Sequence, residues 1–220
     1  DLWVANIEAR NLIRFEPNLR GHAVDSRLTR VTTGTSPTVT PFDLNVGINY
    51  AILPNPTALA SSLAEPFGVA IDAAAGHIYV AAHGTDRIGI LDTFGNVLAR
   101  IEVGSAAGAQ IDTRNKRGPR GLALHPTADR LFVLNHLADT LMVIDTQTRQ
   151  ILGEQPIATV DPMPRLQREG RNFLYDAKLS GNGTMSCAAC HIDGDTKSNF
   201  IHCILQNIRG SCKHISGIYV

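Results

Sequence analysis

The sequence predicts a mainly β fold: a partial β-propeller of about three blades, followed by the start of an α-helical domain. Three observations carry this reading. One stretch of chain repeats itself without gaps, each copy alternates short apolar runs with Gly/Asp turns, and the pattern stops near residue 160. Beyond that point lie all four cysteines, Cys187, Cys190, Cys203 and Cys212.

Residues 66–93 align with residues 119–146 at a constant offset of 53, with Pro66 on Pro119, Gly68 on Gly121, Val80 on Val133, Asp86 on Asp139 and Asp92-Thr93 on Asp145-Thr146. Within the first copy, Gly68–Asp72 reads as a short apolar strand and Ala74-Ala75-Gly76 as a turn. His77–Ala82 is a second strand rich in β-formers, Gly84-Thr85-Asp86 a turn, Arg87–Asp92 a third strand, and Val97–Val103 a fourth after the Phe94-Gly95-Asn96 turn. A partial third copy aligns Leu2–Asn6 and Asn11–Phe15 with Ile78–Leu91 at offset 76. Four short strands per repeat are the pattern of a propeller blade, which buries its faces only by stacking on neighbours. The competing reading, unrelated hairpins in a β-sandwich, does not explain a gapless match. The expected core is Val69, Ile71, Ile78, Val80, Ile88 and Ile90, with Val133, Leu141 and Val143 in the next blade. His83 and His136, and likewise Asp86 and Asp139, occupy equivalent positions and are read as structural. Residues 33–64 and 105–118 read as insertions. Arg114, Lys116, Arg117 and Arg120 are expected to form a solvated basic cluster, with docking of an acidic partner as the alternative.

A closed propeller takes roughly four to eight blades of about 40 residues. Residues 1–160 supply two blades and most of a third, and Asp1-Leu2-Trp3-Val4-Ala5 reads as the middle of a strand. Further blades are therefore expected upstream of Asp1 or downstream of Val220. The repeats resemble those of YVTN/NHL-type propellers, with Ile78-Tyr79-Val80-Ala81-Ala82 and Leu131-Phe132-Val133-Leu134-Asn135 as the signature strands.

Composition narrows the function classes. Twenty basic and twenty acidic residues give no net charge, and 44% of the chain is hydrophobic. That is too apolar for a disordered chain, lacks the basic excess expected of a nucleic-acid binder, and contains no run long enough for a membrane helix.

Asp161-Pro162-Met163-Pro164 reads as a linker, dividing 1–160 from a second segment, 161–220. Arg165–Ala177 is expected to be a helix with Leu166, Phe173, Leu174 and Ala177 as apolar contacts, followed by a turn at Ser180–Gly183. Next comes Cys187-Ala188-Ala189-Cys190-His191, the C-x-x-C-H pattern of c-type haem attachment. Two thiols one helical turn apart can reach the two vinyl groups of one haem, and the following imidazole can ligate its iron. The other readings are a disulfide, a thioredoxin-like pair or half a zinc site; Cys203 and Cys212, nine apart, fit poorly as the missing zinc half. The implied cofactor is covalent haem c, with Cys187, Cys190 and His191 as its site and His191 as the iron ligand. Arg168 and Arg171 are expected propionate partners.

The run Gly170 to Cys187 resembles the approach to a haem domain of the di-haem cytochrome c peroxidase family. Gly170, Phe173, Leu174, Tyr175, Asp176, Leu179, Ser180, Gly183 and Ser186 match its pattern, as does the haem motif. The chain has one such motif where that family has two, and residues 196–220 depart from the family's continuation. The resemblance implies haem attachment outside the bacterial cytoplasm, hence a periplasmic or exported protein with the start of an α-helical cytochrome c domain. The expected function is electron transfer through the haem, with a redox donor or acceptor protein or a small molecule as partner. Two alternatives stay open: a peroxidase-like enzyme whose second haem lies elsewhere, and a propeller binding module with a non-functional haem remnant. Met142, Met163 and Met185 all precede His191, so the sixth position on the iron falls to an earlier Met, to His202 or His214 beyond the motif, or stays open; an open position is expected, because the tail after Thr196 departs from the family.

Overall fold

The computed structural model describes residues 1–10, 19, 21–160 and 163–191. Three antiparallel sheets follow one another along the chain. The first contains β1 (Leu2–Ala9), β2 (Val24–Val31) and β3 (Val39–Asp43), in that order. A short helix, α1 (Pro56–Ser61), leads to the second sheet of β4 (Pro66–Asp72), β5 (His77–Ala82), β6 (Arg87–Asp92) and β7 (Val97–Glu102). The third repeats that order with β8 (Pro119–Leu124), β9 (Arg130–Asn135), β10 (Thr140–Asp145) and β11 (Ile151–Pro156). The fold is mainly β and partly propeller-like, as the repeat predicts.

The gapless repeat appears as repeated hydrogen bonding. Asp92 Oδ1 accepts the amides of Phe94 and Asn96, and Asp145 Oδ1 accepts those of Gln147 and Thr148. Each carboxylate closes its hairpin as an Asx turn. Asp86 and Asp139 both sit at left-handed backbone angles, φ 55° and 52°, confirming them as turn residues. The predicted strand at Asn11–Phe15 lies outside the described residues, and β1 pairs instead with Val24–Val31. The segment read as the 33–64 insertion contains both β3 and α1, with Asn55 capping α1 through the Ala58 amide at 3.0 Å.

Alternation along β5 builds two cores. Ile78, Val80 and Ala82 face the first sheet, with Leu28, Leu44, Leu63 and Leu91. Tyr79 and Ala81 face the third, with Ile88, Ile90, Leu131, Val133, Met142 and Ile144. Burial of each large aliphatic contributes roughly 1.5–3 kcal/mol. The innermost strands come so close that a Cβ on Gly68 would collide with the Arg120 carbonyl.

Four core expectations fail in whole or in part. Leu141 is 37% exposed and Val143 only half-buried, although Ile88 and Ile90 at the equivalent places are sealed. Those positions face the following blade, and among the described residues no sheet lies beyond the third; Met142 and Ile144, on the opposite face, take the buried role. Ile71 is exposed at the end of an edge strand, and Val69 is half-buried.

After residue 162, α2 (Arg165–Leu174) forms within the predicted helix. Its packing differs from the expected apolar face: Leu166 is 82% exposed and Phe173 48%, whereas Asn172 is buried. The helix lies on a polar loop, with Asn172 donating to the Arg114 carbonyl at 3.4 Å, so its inward face is polar. Among the described residues no helix is long and apolar enough to cross a membrane.

Candidate functional site

The segment from Asp176 to His191 lies across loops that leave the three sheets on one side. Its Asp176 caps a short 3-10 turn at Ala177–Leu179, accepting the Lys178 amide. The Ser180–Gly183 turn then bonds to the first sheet's connections: Asn182 donates to the Gly21 carbonyl at 2.5 Å, and the Asn55 amide donates to the Gly181 carbonyl at 2.6 Å. Lys178, also buried, donates to the Ala106 carbonyl at 2.9 Å and lies 3.6 Å from Glu102.

Cys187–Ala189 forms one 3-10 turn. Ser186 caps it, its hydroxyl oxygen accepting the Ala188 amide at 3.0 Å. The amides of Cys190 and His191 both return to the Cys187 carbonyl, at 3.2 and 3.0 Å. The motif is thus a single closed helical turn running from the first thiol to the imidazole-bearing residue. Neither Cys187 nor Cys190 forms a disulfide, and both are half-buried, packed with Ala189 against Ala23, Val24 and Met185. Burial, and then the charge of Glu65, push the Cys187 thiol above its ordinary value.

Glu65 comes from the other side of the junction, immediately before β4. It is 3% exposed. Its Oε1 accepts both the amide and the hydroxyl of Ser186. Burial raises its pKa to about 7, against which the two Ser186 bonds and the charge of Lys116 act. Lys116, Asp86 and Asp176 complete a buried charged group: the ammonium donates to the Gly84 carbonyl at 3.0 Å and lies 3.4 Å from Asp86 and 3.6 Å from Asp176. Asp86 also accepts the amides of Arg117 and Gly118, tying the second blade to the start of the third.

The basic cluster expected in solvent is mostly engaged inside the fold. Lys116 is buried as described, Arg117 pairs with Glu154 at 2.9 Å, and Arg120 stacks on Phe67. Carbonyls and carboxylates converging from neighbouring blades draw these cations inward; Arg114 is the one that stays exposed. His83 and His136 meet with ring centroids 6.1 Å apart, in line with their structural reading, and Tyr175 lies 5.0 Å from His83. Burial, then Lys116, drives the His83 pKa down to about 3, so its ring is neutral.

The structure thus brings Cys187, Cys190 and His191 together in one turn. Arg168 and Arg171 lie on the third sheet's loops: Arg171 donates to the Leu137 carbonyl at 3.3 Å, and Arg168 lines a groove of about 300 Å³ with Arg114, Arg117 and Asp139. Met142 is sealed in the core between the second and third sheets. Cys203, Cys212, His202 and His214 lie outside the described residues. Sequence reasoning missed Glu65; the available signal was its alignment with Gly118, one residue before the repeat.

The donor set fits a c-type haem: two unoxidised thiols joined by one capped turn, with an imidazole on the next residue. Among the described residues no group of three or more His, Cys, Asp or Glu is placed to hold a bare metal ion.

Residues 56–198 match the family described as lactonase, 7-bladed beta-propeller. Among solved structures the chain is similar to Kuenenia stuttgartiensis hydrazine synthase, with 18% identity over 66% of this chain and 41% of that one and a TM-score of 0.48. It is also similar to virginiamycin B lyase from Staphylococcus aureus, with 18% identity over 60% of this chain and 35% of that one and a TM-score of 0.39. A third similar structure is AztD from Citrobacter koseri, with 15% identity over 61% of this chain and 31% of that one and a TM-score of 0.40. The chain spans well under half the length of these structures. No curated protein matches it.

Proposed function

Taking as premise that the chain belongs to the lactonase family of seven-bladed β-propellers, we propose that it is a haem-binding redox protein in which a propeller carries one covalently attached c-type haem. Cys187 and Cys190 would hold the haem as thioethers, and His191 would ligate its iron. When bound, such a group supplies reversible one-electron exchange between ferric and ferrous iron.

The observation that carries the proposal is the turn itself: its capping by Ser186, its two cysteines outside any disulfide and the His191 amide closing on the Cys187 carbonyl. The chain's own residues hold that turn against the propeller. Ala23, Val24 and Met185 cover one side of the thiols and keep water from it. Raised pKa values keep Glu65 largely neutral below pH 7 and Cys187 as the thiol. The resemblance of Gly170–Cys187 to di-haem cytochrome c peroxidases supports the same reading, and with it a periplasmic or exported location.

The test is expression with a cytochrome c maturation system. The protein should keep haem through denaturing electrophoresis, and Cys187→Ala combined with Cys190→Ala should abolish the stain. Haem extracted intact by acid and organic solvent from the wild type would overturn the proposal.

A further inference from the structure

Glu65 and Gly118 are equivalent positions, each one residue before the aligned repeat. Both have left-handed backbones, φ 54° and 58°. Both make the same bond, their carbonyls accepting the amides of His83 (3.1 Å) and His136 (2.9 Å). The blade therefore needs a left-handed residue here for its turn to close. Glycine supplies it without strain in the third sheet; in the second, a glutamate adopts it against the steric preference of any residue with a Cβ. A strained backbone that glycine would relieve points to a use for the side chain.

The hydrogen bonds of that side chain leave its own sheet. Oε1 takes both donors of Ser186, 121 positions away in sequence, and Oε2 is buried with no hydrogen-bond partner among the described residues. The backbone of Glu65 meanwhile joins the first sheet, its amide donating to Ser26 Oγ at 3.3 Å. One residue thus touches the first sheet, the second sheet and the cap of the Cys187–His191 turn.

We infer that Glu65 is a positioning residue that docks the Cys187–His191 turn on the propeller by holding Ser186, its cap. The inference rests on the haem reading of that turn for its functional meaning, since a fixed cap fixes where both thiols and His191 face relative to the blades. It rests on geometry alone for the docking.

Hydrogen–deuterium exchange of the full chain at pH 6 separates the two. In Glu65→Gly, which restores the residue of the next repeat, amides in residues 184–191 should exchange at least tenfold faster than in wild type. Peptides from 66–93 and 119–146 should keep wild-type protection. Glu65→Gln, which keeps an acceptor for both Ser186 donors, should restore slow exchange in 184–191. Unchanged protection of 184–191 in Glu65→Gly would overturn the inference. Equal loosening of the propeller peptides, or no rescue by Glu65→Gln, would reduce Glu65 to a structural residue and overturn it as well. A haem stain on the same samples reads the functional proposal independently: absence of covalent haem defeats that proposal and leaves the exchange result standing.

Discussion

Glu65 is a buried acid whose protonation is linked to folding. Its pKa of about 7 in the folded state stands against the ordinary 4.5. Between those values the folded protein keeps a proton that the unfolded chain has lost. Stability from this group is therefore full below about pH 4.5 and declines as pH rises toward 7, by roughly 3 kcal/mol at most. Lys116 opposes the shift, Asp176 reinforces it, and Asp176 is itself raised by burial. Urea unfolding at pH 5 and pH 8 should thus show wild type losing more stability than Glu65→Gln across the same interval; equal losses would contradict the assignment. Arg87 is the second residue on which much depends. It is wholly buried, and its guanidinium donates to Glu102 at 2.6 Å and to the carbonyls of Ser62, Leu59 and Gly108 at 2.7, 3.0 and 2.7 Å. Arg87→Met removes this donor from all four acceptors and should cost about 3–5 kcal/mol in chemical denaturation. Neither role was legible in the sequence, because Glu65 bonds to Ser186, 121 positions away, and Arg87, besides its cross-strand partner Glu102, bonds to carbonyls 21 to 28 positions away. The C-x-x-C-H motif was legible because it is confined to five consecutive residues, Cys187 to His191.

Strands are where the sequence spoke most directly. His77–Ala82 and Arg87–Asp92 form over the residues that the repeat assigns them. A blade strand is short, carries period-two patterning and ends at a turn whose Gly, Asp or Asn is visible. What patterning does not disclose is which faces have a neighbour. Leu141 and Ile88 look alike in sequence, yet among the described residues only Ile88 has a sheet packed over it. The consequence is measurable: Val133→Ala should cost about 1–3 kcal/mol, while Leu141→Ala should cost under about 1 kcal/mol. Equal costs would place an uncounted neighbour over the third sheet. α2 taught the opposite lesson. Its expected apolar contacts at Leu166 and Phe173 are exposed because the surface that receives it is a loop of carbonyls and charged groups, which Asn172 and Arg171 can satisfy.

Across the whole molecule, three stacked sheets offer one side to the Asp176–His191 segment, which is held by Gly21, Asn55, Glu65 and Ala106. The propeller was readable because a period of 53 survives in the sequence; the docking was not, because its bonds join residues more than 70 apart. In the proposed function the propeller is a platform that fixes the direction in which the haem faces. If the haem is bound as proposed, Met142, locked in the core, could not serve as a second iron ligand, and the account expects none from Met163 or Met185. Ferrous protein should accordingly bind carbon monoxide readily. A low-spin spectrum that His202→Ala or His214→Ala converts to high-spin would contradict this and favour electron transfer alone. The most direct measurement of the central claim is the intact mass of the denatured protein after co-expression with the maturation system. Wild type should be heavier than its sequence by one haem, with the added mass on the peptide containing Cys187 and Cys190; a mass equal to that of the bare chain would contradict the account.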